Sequence, residues 1–231
     1  MTATGKLINT TALLALVAML FALVGTAPAQ GTPERTYKVT VTNLTGGQLQ
    51  TPFVVAAHSG STSIFEVGSS ASAGLQSLAE NGGVPDLVAE LEANPRVGDV
   101  AVTGGGIIAP GGSAYALITS APGARKVSVA GMLICTNDGF AAIDSVQLNA
   151  SGVTTVVYGY AYDAGTELNT EAYADLVPPC DGSGMSGTSN PALAENGVVQ
   201  PHDGILGIAD LNPEIHGWSG PVIMVTIELQ G

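Results

Sequence analysis

Positive charge is scarce in this chain. Six Lys and Arg stand against 19 Asp and Glu, giving a formal net charge of −13 over 231 residues. Nucleic acid is held through a basic footprint, so that balance argues against it as a partner. It also argues against direct attachment to anionic lipid unless a cation bridges the two. Aromatic residues are few (5%), with a single Trp at 218. A glycosidase, which opposes two carboxylates across a sugar, would have few rings to stack on. Cysteine and histidine are also sparse, at two and three residues, and none are close enough in sequence for a zinc site. No G-x-S-x-G elbow is present, and "GSGMSG" matches it only in composition. Nothing in the spacing of His58, His202 and His216 ties them to a nucleophile. "TGGGIIAPGG" (103–112) is glycine-rich but lacks the Lys-Ser/Thr ending of a phosphate loop.

What is present begins with an export signal. Lys6 supplies a basic n-region, "TALLALVAMLFALV" (11–24) an apolar h-region, and "APA" (27–29) the small residues of a cleavage site. Residues 1–29 therefore read as a signal peptide, and 30–231 as one exported domain. A retained anchor is the alternative, but the run falls short of the roughly 20 apolar residues a span needs. Removing Lys6 leaves five basic residues and a net charge of −14. Export places the chain outside the cell or in a periplasm. There an even cysteine count predicts a Cys135–Cys180 disulfide, with two free thiols as the alternative.

Polar and apolar residues alternate through most of the rest. "RTYKVTVTNL" (35–44) and "GPVIMVTIELQG" (220–231) read as half-buried first and last strands, of the kind that pair as neighbours in a sandwich. Further short strands are expected at 114–120, 126–135, 144–149 and 154–163, each bounded by Gly, Pro, Asn or Asp. Two segments break the pattern with helical spacing. Residues 72–82 end on Asn81-Gly82, and residues 84–94 carry Pro85 in the first turn and end before Pro95. The expectation is an all-β antiparallel sandwich with two short helices at one edge. "DGSGMSGTSNP" (181–191) reads as a mobile loop.

Two acidic turns follow apolar strands. Asp138 lies in an Asn-Asp-Gly turn after Cys135, and Asp163 and Glu167 flank the Ala164-Gly165 turn of "YDAGTE". Hard cations such as Ca²⁺ take six to eight oxygens, which loops at one end of a sandwich can supply. Ordinary turn preference explains Asp-Gly equally well, so spacing alone leaves the choice open.

"HSGSTSIFEVGSSASAGLQSLAENG" (58–82), the "NDGF" turn, "YDAGTE" and "PVIMVTIE", in that order, resemble the spondin N-terminal domain. The resemblance spans roughly residues 36–229. It implies a C2-like β-sandwich with a calcium ion held by loop carboxylates, and it carries that role to Asp138, Asp163 and Glu167. Glu167 stands where the animal proteins have Asp, and Gly139-Phe140 where they have an aromatic directly after the first loop Asp. The function implied is a secreted, non-catalytic adhesion module that recognises a surface, glycan or protein. An exported hydrolase using the acidic loops with His202 or His216 is the competing reading, and a purely structural exported domain a third.

Overall fold

Nine strands and three short helices are seen in a computed structural model that describes residues 1–2, 33–180 and 190–231. The strands are β1 Arg35–Asn43, β2 Val54–His58, β3 Val97–Val102, β4 Ser113–Ser120, β5 Lys126–Met132, β6 Gly139–Gln147, β7 Thr155–Asp163, β8 Gln200–Pro201 and β9 Ile223–Leu229. They pair antiparallel in the order β3-β2-β5-β6-β7-β9-β1-β4, with β8 added on β7. The result is the expected sandwich, curled almost into a barrel. The expected signal peptide and most of the 181–191 loop lie outside the described residues.

The first and last strands pair as their alternation implied, Val39 opposite Ile227 and Val41 opposite Val225. All four side chains are buried in the core between the layers, and Lys38, Thr40 and Thr42 point outward. This period-two burial is what fixes register, because a one-residue slip would turn the apolar set toward water.

Strand β7 joins the layers. Thr155–Gly159 pairs with β9, while the next residues pair with β6. Gly159 sits at the change of partner. A Cβ there would lie 2.5 Å from the Ala142 carbonyl oxygen and 2.6 Å from Ile223 Cγ1, so only glycine lets the layers approach.

Helices α1 (Ala73–Asn81) and α2 (Val84–Glu92) match the expected pair. Ser72 Oγ accepts the Leu75 N–H at 3.2 Å to cap α1, and Gly82 closes it in the left-handed region at φ 64°. They cover more than an edge. Leu75, Leu78, Leu87 and Leu91 form a second core with Val54, Ala56, Ala130 and Phe140 on the outer face of β2, β5 and β6. Strands sandwiched this way are buried on both faces and lose their alternation. This corrects two expectations. The apolar start of β6, Gly139–Ile143, extends the strand expected from 144 back to 139, and β2, which is buried throughout, was not anticipated. The strand expected at 126–135 ends at Met132, where a turn begins.

Cys135 and Cys180 are bonded, with Cα atoms 5.1 Å apart. Closing a loop 45 residues long restricts the unfolded chain by about 4 kcal/mol in the chain-entropy model. Pro33–Gly231 makes one compact unit.

Candidate functional site

The two acidic turns meet because β6 and β7 pair with Gly139 opposite Asp163. Asp138, one residue before that pair, lies alongside the turn that follows β7, and its carbonyl accepts the Ala164 N–H at 3.1 Å. Its carboxylate clamps the same turn. Oδ2 accepts from the Thr166 N–H at 2.7 Å, the Glu167 N–H at 3.1 Å and the Thr166 hydroxyl at 3.2 Å. The other oxygen, Oδ1, is buried without a hydrogen-bond partner. A buried polar atom left this way costs about 1–3 kcal/mol, more when charged.

The other carboxylates are partnered. Asp163 Oδ1 accepts the Gly165 N–H at 2.7 Å, an Asx turn that Gly165 permits at φ 69°. Asp163 Oδ2 accepts from the Asn169 amide at 2.6 Å. Glu167 Oε1 accepts the Asn190 N–H at 2.7 Å. Asp138, Asp163 and Glu167 are all buried.

Burial and mutual repulsion raise the proton affinity here. Burial, then the Asp163 charge, push the Asp138 carboxyl from an ordinary 3.8 to about 6, against the lowering effect of its N–H donors. Glu167 is pushed from 4.5 to about 7, chiefly by burial, with Glu80, Asp138 and Asp175 adding repulsion. Every charged neighbour that shifts either group is another carboxylate. The donor set fits a hard cation in chemistry: buried carboxylates, one with a bare oxygen, and no competing ammonium or guanidinium among the groups that shift them.

The oxygens are not gathered into one tight cluster. Among the described residues, the three His, Cys or acidic side chains whose ligand atoms lie within 4.8 Å of one another are Cys135, Cys180 and His216. Two of those are spent on the disulfide. Asp163 and Glu167 are drawn off by Asn169 and the Asn190 N–H, so a cation here would need main-chain or water oxygens as well.

The histidines behave as packing residues in their turns. His202 Nδ1 accepts the Gly204 N–H, and His216 Nδ1 the Asn212 N–H, each at 3.0 Å. Burial lowers the basicity of His202. His58 was not expected to meet a hydroxyl, yet its Nε2 lies 2.7 Å from Ser128 Oγ, and that hydroxyl donates to Asp144 Oδ1, also at 2.7 Å. These are the residue types of a hydrolytic triad in the wrong order. The serine stands between the imidazole and the carboxylate, with no surface exposure, so it has no path to a substrate.

Two residues invisible at the sequence level hold the loops around the acids. Glu171, buried with φ 56°, accepts the Leu206 N–H at 2.5 Å and the Ile208 N–H at 2.8 Å. Buried Gln48 accepts the Cys135 N–H at 3.1 Å and donates to the His216 carbonyl at 2.7 Å. Their partners are distant in sequence, so no local pattern marks them.

Fold, disulfide and paired loops define an extracellular-type β-sandwich module. The Spondin_N family model matches residues 47–175, more than half of the chain, and the protein belongs to that family. Its members are generally non-enzymatic modules. No curated protein matches the chain. Among the described residues, no helix is long and apolar enough to cross a membrane.

Proposed function

We propose that this is an exported, non-catalytic binding module of spondin type whose acidic loops are held by Ca²⁺. Asp138, Asp163 and Glu167 are the cation-binding side chains, and export follows from the signal peptide read at 1–29. The observation that carries the reading is Asp138. Its Oδ1 is buried with no partner while every charged neighbour acting on it is negative. A divalent cation would satisfy that oxygen and remove the repulsion in one step. Bound there, an ion would supply charge neutralisation, held by Asp138, Asp163 and Glu167. The chain's own residues orient the site: Thr166 and Glu167 N–H groups hold Asp138 Oδ2, leaving Oδ1 as the available donor.

Calorimetric titration tests the assignment. Wild type is expected to bind Ca²⁺ saturably, and the double variant Asp138→Ala, Asp163→Ala to lose at least tenfold in affinity. Equal affinity in the two proteins would put the ion elsewhere.

A further inference from the structure

Beside β8, the chain leaves a gap along β7. Main-chain bonds close onto Gly159 from Val222 N and onto Ala161 from His202 N, both within 3.1 Å, and Tyr160 lies between. A cleft of about 440 Å³ opens there, lined by Tyr160, Tyr162, His202, Asp203 and Trp218. A second, of about 470 Å³, lies against Leu44, Ile205 and Pro213 and shares Asp203, Gly204 and Trp218 with the first. The two therefore meet at one indole and one carboxylate.

The lining sets the chemistry. Among the described residues, Asp203 carries the only formal charge in either cleft, and no Lys or Arg lines them. Tyr160 is 53% exposed and presents its ring to solvent. The Trp218 indole is fixed by an edge-to-face contact with His202, at 5.1 Å between ring centres. His202 accepts the Gly204 N–H on Nδ1, so its imidazole is neutral and adds no opposing charge. Aromatic faces beside a carboxylate attract ammonium and guanidinium groups, with Trp the strongest ring. A neutral saccharide would want paired side-chain donors and acceptors. The Tyr160, Tyr162 and Ser219 hydroxyls, the Trp218 N–H and His202 Nε2 could serve one, but a neutral ligand would leave the Asp203 charge without a counter-ion, whereas a cation supplies it.

We infer that the groove around Trp218 binds a Lys or Arg side chain of a basic partner protein, between the Tyr160 and Trp218 rings with Asp203 as its counter-ion. Charge complementarity extends beyond the groove, since the whole chain is at −13. The inference rests on reading the chain as a binding module, but not on calcium.

Trp218 is the sole tryptophan, so its fluorescence reports this site alone. The probe is acetyl-tetra-arginine amide, with acetyl-tetra-glutamate amide and chitotetraose alongside. A saturable change with the arginine peptide is expected, with affinity at least tenfold lower in Asp203→Asn and lower also in Tyr160→Ala. Glu92→Gln, which removes an exposed charge on α2, should leave it unchanged. Equal weakening by Glu92→Gln would reduce the effect to general attraction and overturn the site. So would the absence of a saturable change, or a response to chitotetraose in its place. Saturable arginine binding in EDTA by a chain that shows no calcium response would keep the groove and remove the ion.

Discussion

Of the three acids in the candidate site, Asp138 is the one with a buried oxygen left without a hydrogen-bond partner. It is wholly buried, one of its oxygens is engaged by three donors and the other by none. Because its folded-state proton affinity is raised, from 3.8 to about 6, the folded chain binds more protons than the unfolded one between those values. Stability therefore falls as pH rises through that window and is greatest below it. Glu167, raised to about 7, extends the fall toward neutrality. In EDTA, urea midpoints are predicted to drop from pH 4 to pH 7, with the unfolding free energy falling by roughly 2–3 kcal/mol from Asp138. Asp138→Asn should remove the Asp138 share of that slope and leave the share that comes from Glu167. Midpoints that rise over the same range would contradict the assignment.

At the scale of elements, β7 carries the architecture, because it pairs with β9 in its first half and β6 in its second. Gly159 makes this possible, since a Cβ would lie 2.5 Å from a carbonyl oxygen. Gly159→Ala is predicted to cost about 1–3 kcal/mol by overpacking, read from urea unfolding. A loss under about 0.5 kcal/mol would show that the layers can part there. The same two-layer burial explains which elements were legible in sequence. β1 alternates because one face meets the core and the other water, so the pattern marks Arg35–Asn43 almost to the residue. The helices carried their own caps, Ser72 and Gly82 for α1. β2, "VVAAH", is buried on both faces and has no period to detect. β3, "VGDVAV", is interrupted after its first residue by Gly98 and Asp99, which are depleted in strands and hide the rest of the run. In the site, Asp138, Asp163 and Glu167 could be named because each follows a strand and resembles a family motif. That Asn169 and Asn190 would engage two of them depends on the folds of separate loops, which local pattern does not encode.

For the whole molecule, the economy of charge is the organising fact. A chain with 19 acidic and six basic residues has few ways to neutralise buried carboxylates from within. It uses main-chain N–H groups for Glu171, amides and N–H groups for Asp163 and Glu167, and leaves one oxygen of Asp138 bare. The disulfide ties the loop that precedes Asp138 to Cys180, and Gln48 ties that loop to the turn at His216. The acidic loops are thus braced from two sides, while the Trp218 groove opens beside them through His202 and Gly204.

The most direct test is the melting temperature in EDTA and then with Ca²⁺ or Mg²⁺ titrated in. A site present only in the folded state stabilises by about 2.7 kcal/mol at a hundredfold excess over its dissociation constant. A rise selective for Ca²⁺, and lost in Asp163→Ala, is predicted. A melting temperature indifferent to Ca²⁺, or a rise that Asp163→Ala leaves intact, would contradict a calcium-held module.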